Sequence, residues 1–427
     1  MDIKEVWLID YARTAFSRSR PRQPERDVFG EIRGDELLAS LVMKFFDGKL
    51  ADKGVTKEDV DEITLGSAMG VDENWAYGGK SMSFLAEFPV KVSSVFLDKQ
   101  CGSAGAGMHM GIMEIMTGFS KCVLSTGVEH MTRVSMQNNH IKPNLNIINK
   151  KSKWYRPQYD FLTTSNMLQT AQKLYEEEIP NFTKEDMDKI GVRAHNLTVK
   201  NTEEGWFKGE IIPIEGHVEG NVEEPLMVDR DMAARKSTLE GVGQLRRLSK
   251  PFYLEKNGGK EGYEKREGTV EGVITAGNSS PLNAGATACL LMEAEEAKQR
   301  GIEPLARIVS LGWSGVDPTV MGRGPVPASQ RALEYAGLTA DDIDFWEINE
   351  AFCIVALNCM HKLNIPEEKV NVMGGSTAIG HPLGSTMIRL PGTLARILKD
   401  NKAKYGIANA CVGGGQGIAT LIENLDA

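Results

Sequence analysis

An octapeptide that occurs twice constrains the fold of this chain more than any other feature. Gly54-Val55-Thr56-Lys57-Glu58-Asp59-Val60-Asp61 aligns without gaps on Gly337-Leu338-Thr339-Ala340-Asp341-Asp342-Ile343-Asp344, and each copy runs into a short apolar strand. Each half of the chain opens on a strand candidate, at 6–9 and 306–309, and closes on a similar one, at 285–291 and 417–422. The 427 residues exceed what one hydrophobic core usually supports. Duplication of one α/β unit accounts for both observations. A strand at 92–97, read as buried, leads into a helical pattern at 106–116, and this order lays helices on a mixed sheet.

The pattern breaks between about residues 130 and 268. This region is polar, contains Asn138-Asn139-His140-Ile141-Lys142-Pro143-Asn144, and shows helical periodicity without comparable buried strands. It reads as an inserted loop domain. The expected division is an N-terminal half at 1–129 completed by about 269–300, an insertion at 130–268, and a C-terminal half at 301–427. Within the insertion, the Gly-, Lys- and Glu-rich stretch 255–266 reads as an exposed excursion.

A formal charge of −9 argues against broad nucleic-acid binding, so a phosphate-bearing ligand needs a local basic site. The six cysteines, at 101, 122, 289, 353, 359 and 411, lack the paired short spacings of a zinc site, and a chain of this size folds without disulfides. No metal is expected. The N-terminus lacks the basic-then-apolar order of an export signal, and no run of about 18 apolar residues occurs. These features predict a cytoplasmic protein outside the membrane.

Four segments carry candidate chemistry. Cys101 precedes Gly102-Ser103-Ala104-Gly105-Ala106-Gly107, small residues that open a helix. A thiol at a helix N-terminus has its thiolate favoured by free N–H groups, which predicts a lowered pKa and a competent nucleophile. Small residues there also admit close approach by a neighbouring element or ligand. A buried cysteine is equally an ordinary core residue. Asn349-Glu350-Ala351-Phe352 places an amide and a carboxylate at a strand end, where either can also be a helix cap. His381 stands on the glycine-flanked turn Gly380-His381-Pro382-Leu383-Gly384, placed to move a proton or to donate to an oxyanion. Cys411-Val412-Gly413-Gly414-Gly415 puts a second thiol on a turn whose amides can face a ligand.

Together these segments resemble the thiolase family, and the resemblance extends over nearly the whole chain. Asp98-Lys99-Gln100-Cys101-Gly102-Ser103 is similar to the nucleophile segment, and Ser125-Thr126-Gly127-Val128-Glu129-His130-Met131 to the strand and turn after it. Thr275-Ala276-Gly277-Asn278-Ser279-Ser280 is similar to the segment along the pantetheine arm of coenzyme A (CoA), and the stretch from Gly315 to Pro325 to a further family segment. The resemblance implies a five-layered αβαβα core of two duplicated halves, an inserted loop domain covering CoA, and a homodimer or homotetramer. A further subunit is also possible.

The resemblance also implies ping-pong chemistry on CoA thioesters as substrates, with no permanently bound cofactor. Cys101 would take the acyl group after His381 removes its proton, and Cys411 would exchange the α-carbon proton of the second substrate. Asn349, through a water, and His381 would form one oxyanion hole, with the amides of Cys101 and Gly413 forming the other. Met167, Ser280, Met321 and Arg235 are the CoA-site candidates. Lys150, Lys151, Lys153, Arg156, Lys236, Arg246 and Arg247 offer further positive charge, which can equally be solvated surface.

Three departures from the family pattern are Met387 and Pro281 in place of glycines and Ala284 in place of an acid, with an altered acyl or pantetheine pocket as the expectation. Acetoacetyl-CoA is the default substrate; a bulkier, branched or aromatic 3-oxoacyl-CoA, handled within a multi-subunit complex, is the alternative. A condensing enzyme using a carrier protein would generally carry histidine in place of Cys411. A non-catalytic acyl-CoA-binding scaffold would be indifferent to replacement of Cys411.

Overall fold

The computed structural model describes residues 3–136, 140, 142–178, 181–252 and 271–427. The excursion at 255–266 and most of the Asn138-Asn139-His140-Ile141 run lie outside the described residues.

Both copies of the octapeptide adopt the same structure. Gly54 and Gly337 each sit at φ 67°, the left-handed conformation glycine takes at a helix end. Thr56 and Thr339 each donate a backbone N–H to an aspartate three residues on, Asp59 and Asp342, closing a capping box. The final aspartate then ties two strands. Asp61 accepts from the N–H groups of Lys121 and Cys122, and Asp344 from those of Lys404 and Tyr405.

The strands repeat the duplication. In the first half β1 (Val6–Arg13), β2 (Glu62–Gly66), β3 (Ser93–Leu97), β4 (Cys122–His130) and β7 (Ala284–Glu293) lie in the order β3-β2-β4-β7-β1. In the second, β8 (Ala306–Gly315), β9 (Phe345–Ile348), β10 (Tyr405–Val412) and β11 (Gln416–Glu423) lie in the order β8-β11-β10-β9. The β2–β4 and β9–β10 pairs are parallel, and their neighbours β4–β7 and β10–β11 antiparallel. A parallel bridge from Trp346 to Val370 stands where β3 stands in the first half. The half-sheets join through a short antiparallel contact, Trp7 with Arg307 and Leu8 with Ala306.

Helices Ser103–Thr117 and Thr386–Asn401 fill the space between the two half-sheets, and Gly34–Phe45 and Pro325–Ala336 cover their outer faces. Five layers result. A side chain at Gly105 would meet the Cβ of Met387 at 2.7 Å, so the glycine lets the two central helices cross closely. Met387 itself is fully buried in the apolar layer with Ala104, Met108 and Ile418. Met387 therefore contributes to the packing between the two central helices.

Between β4 and β7, residues 131–283 contribute no strand to the main sheet among the described residues. They form helices Met167–Glu177 and Lys184–Glu203 and a separate hairpin, β5 (Ile214–Val218) with β6 (Asn221–Val228). One expectation fails here: β3 is an edge strand with no fully buried residue. Its Ser-Ser-Val-Phe-Leu sequence reads like an interior strand, and only its position in the sheet exposes it.

Candidate active site

The candidate nucleophile stands where two turns meet. Gln100, at φ 49°, bends the chain sharply after β3, and Cys101 follows in the single turn Gln100–Gly102 that leads into the central helix. Ser103 fixes this bend by accepting from the Lys99 N–H and donating to the Gln100 carbonyl. The backbone N–H groups of Gly413 and of Cys101 itself both favour the Cys101 thiolate, and a side chain at Gly102 would meet Val412 at 2.9 Å, so the two turns are in direct contact. Cys411 is the penultimate residue of β10 rather than part of the glycine turn, and its thiol feels the charge of Cys101. Gly414 and Gly415, both at φ 81°, make the turn between them possible.

Burial overrides the helix terminus. The Cys101 thiol is pushed up to about 12 by desolvation, with the two amides pulling the other way and Glu129 and Asp98 adding to the rise. The expected lowering of this pKa is therefore wrong, because the thiol lies inside the fold where solvation of a thiolate is lost. Burial also raises the Cys411 thiol well above its ordinary value. A base is needed.

His381 meets that need in its neutral form. Burial, and secondarily the Arg389 guanidinium, lower its pKa to about 3. Its Nδ1 lies 2.6 Å from the Thr386 hydroxyl, which in turn donates to the Pro382 carbonyl at 2.9 Å. The threonine hydrogen is thus committed, Nδ1 must carry the ring proton, and Nε2 keeps its lone pair. Asn349 donates its Nδ2 to that nitrogen at 3.3 Å, leaving a buried Oδ1 with no protein partner among the described residues.

The two turns that carry these groups are rigidly anchored. Asn283 accepts the His381 N–H at 2.8 Å. Glu350, held by Asn371 at 2.6 Å, accepts the Thr377 N–H, and a side chain at Gly375 would meet its carboxylate at 1.9 Å. Glu129 accepts from Ala68 N–H, Ser67, Asn74 and the Gly384 N–H, and its pKa is raised to about 7 by burial. Ala68, Met131 and Leu383 form a small apolar cluster around Cys101.

The CoA-site candidates are less concentrated. Ser280 gives both its N–H and its hydroxyl to the Ala351 carbonyl, two residues beyond Asn349. Met321 is buried in the outer C-terminal core, and Met167 packs against the same core. Arg235 is exposed beside Arg18, whose pKa is lowered by burial and by that neighbouring charge. Asn283 and Arg18 carry no sequence signal of their own, since each acts through a partner that only the fold brings near, and Thr386 and Glu129, although inside or beside recognised segments, show no role until their partners are in place. Among the described residues no group of three His, Cys, Asp or Glu side chains could hold a metal ion.

Residues 6–295 match the model of the thiolase N-terminal domain, and residues 302–424 that of the thiolase C-terminal domain. The chain belongs to the thiolase family. It is 34% identical to 3-ketoacyl-CoA thiolases of Marinobacter nauticus, over 99% of both chains, and of Vibrio vulnificus, over 99% of this chain and all of the other. Among solved structures, this thiolase is similar to the acetyl-CoA acetyltransferase of Bacillus anthracis, with TM-score 0.80 and 28% identity over 99% of this chain and 100% of that one. Human mitochondrial 3-ketoacyl-CoA thiolase gives TM-score 0.78 and 27% identity over 99% of both. The enzyme is therefore an acyltransferase acting on CoA thioesters, by thiolytic cleavage or the reverse condensation, which sets aside the carrier-protein and scaffold readings.

Proposed function

We propose that this thiolase cleaves 3-oxoacyl-CoA with Cys101 as the acyl carrier, His381 as its base and Cys411 as the acid and base at the α-carbon. The observation that carries the assignment is the Asn349–His381 pair at 3.3 Å, on turns of the second half whose Leu383 packs with Cys101 and whose Gly413 packs on Gln100. Neutral His381 takes the thiol proton on Nε2 as sulfur attacks the 3-oxo carbon of the substrate, whose bond to C2 then breaks. The oxyanion formed on Cys101 is then stabilised by the amides of Cys101 and Gly413. Cys411 protonates the departing acetyl-CoA carbanion, and CoA releases the acyl group in the second half-reaction. Asn349, through a water at its free Oδ1, and the protonated His381 support the other oxyanion.

Names of the relatives favour 3-oxoacyl-CoA over acetoacetyl-CoA alone, and hence a degradative direction. Ser280, Met167, Met321 and Arg235 would line the CoA path, with residues 130–268 as its cover; Arg18 supplies a second cation for the phosphates. Rates of CoA-dependent loss of the 3-oxoacyl-CoA enolate, across a series from acetoacetyl-CoA to long chains, test this reading. A rate confined to acetoacetyl-CoA would point to the short-chain alternative.

The protein would act in the cytoplasm as a homo-oligomer. No helix among the described residues is long and apolar enough to cross a membrane. The edge strand β3 lies beside Trp75, Tyr77 and Phe84, each more than 60% exposed, and Val90, at 94%. A second copy pairing across this edge would cover both features. Sedimentation of the purified protein gives the assembly size.

A further inference from the structure

Lys99, two residues before Cys101, is half-buried and reaches across to the second half of the fold. Its Nζ donates to Gln416 Oε1 at 2.8 Å and lies 4.2 Å from the centre of the Trp313 ring. Gln416 spends its other end on the glycine turn, donating Nε2 to the Gly413 carbonyl at 3.2 Å. Gly413 packs directly on the nucleophile loop, where a side chain on it would touch Gln100 at 3.3 Å, and its N–H favours the Cys101 thiolate. A closed path therefore runs from the nucleophile loop through Lys99 and Gln416 to Gly413 and back to Cys101.

The anchor of this path is itself fixed. Trp313 gives its indole N–H to His109 Nδ1 at 2.7 Å, so that nitrogen is an acceptor and the ring proton sits on Nε2, 2.8 Å from the Thr420 hydroxyl. His109 is held neutral, with its pKa lowered to about 3 by burial and by the Lys99 charge. A neutral ring is what a lysine over the adjoining indole requires. Trp313 lies on β8, Gln416 and Thr420 on β11, and His109 on the central helix, so three elements brace one ammonium group.

We infer that Lys99 and Gln416 are positioning residues that hold the Gly413 amide against the reacting centre on Cys101. The inference rests on the proposed roles of Cys101 and Gly413. Neither side chain needs to touch substrate: the pair sets the distance between a loop of the first half and a turn of the second, where an oxyanion donor must be placed accurately to be effective. Methionine at either position keeps the volume and removes the hydrogen bond.

The test uses Lys99→Met, Gln416→Met, the double variant and Lys99→Arg in the full-length protein. Acylation of Cys101 by 3-oxoacyl-CoA, followed by intact mass, should slow roughly ten- to a hundred-fold in each methionine variant, less than the hundred- to thousand-fold of deleting an oxyanion donor. KM for the thioester should hold, Lys99→Arg should recover part of the rate, and the double variant should be no slower than the worse single one. The pH profile of Cys101 alkylation by iodoacetamide should move to higher pH, since the Gly413 amide favours the thiolate. Gln416→Glu keeps the Lys99 contact without an N–H for Gly413 and should slow acylation to the same degree, so it replaces Gln416→Met in the test if the methionine variant does not fold. Parent-like acylation and alkylation in folded Lys99→Met and Gln416→Met would overturn the inference. Absence of any Cys101 adduct in the parent would instead overturn the reading of Cys101.

Discussion

Thr386 fixes the protonation of His381: its hydroxyl accepts from Nδ1 at 2.6 Å and spends its own hydrogen on the Pro382 carbonyl. The ring is thereby held with a free lone pair at Nε2, although the two residues are only five apart and lie on different elements, a turn and a helix. Thr386→Val keeps the shape and removes the acceptor. The loss of one buried hydrogen bond to a group that becomes charged is about 1–3 kcal/mol, so Cys101 acylation should slow roughly ten- to a hundred-fold. Single-turnover acylation with little change in melting temperature would establish this, and an unchanged rate would refute it.

Cys411 should be separable from the acylation step. In Cys411→Ala, Cys101 should still gain an acyl group from acetyl-CoA. Exchange of the acetyl-CoA methyl protons with deuterated water, which the parent should catalyse, should disappear. NMR of recovered acetyl-CoA reads the exchange, and persistence at the parent rate would move the acid–base role to another group.

The pH dependence follows from the lowered pKa of His381. Its folded value of about 3 lies below the ordinary 6.5, so the unfolded chain binds the extra proton first as pH falls. The stability this residue contributes is complete above about pH 6.5 and is lost as the pH descends toward about 3. Because Nε2 stays unprotonated throughout that window, acylation of the folded enzyme should show no histidine titration near 6.5. A rate that halves there, in protein shown by circular dichroism to be folded, would contradict the assignment.

Gly375 offers a steric test. Its φ is ordinary, but a Cβ would stand 1.9 Å from the Glu350 carboxylate, which Asn371 and the Thr377 amide hold in place. Gly375→Ala should cost about 1–3 kcal/mol and displace the segment leading to His381, lowering both melting temperature and activity. Gly48→Ala, with nothing within 4 Å, should leave both alone.

Much of this was legible in the sequence because the relevant signals are local. The octapeptide contains its own glycine, threonine and aspartates, so both copies could be matched before their common capping geometry was seen. Cys101, His381 and Cys411 are marked by neighbouring glycines that strand ends and tight turns require. What escaped depends on distance through the fold. Asn283 meets His381 across 98 residues and Lys99 meets Gln416 across 317, and no pattern within either segment announces the other. The rise in the thiol pKa has the same origin: a helix terminus is visible in neighbouring residues, whereas burial is set by the whole core.

In the proposed reaction Cys101 carries the acyl group. Intact mass of the parent and of Cys101→Ser, after brief incubation with acetyl-CoA and separately with acetoacetyl-CoA, tests it most directly. One acetyl adduct is expected on the parent, mapped to Cys101, and none on the variant. An adduct of equal extent on folded Cys101→Ser, or none on the parent from these donors and from longer 3-oxoacyl-CoA, would contradict it.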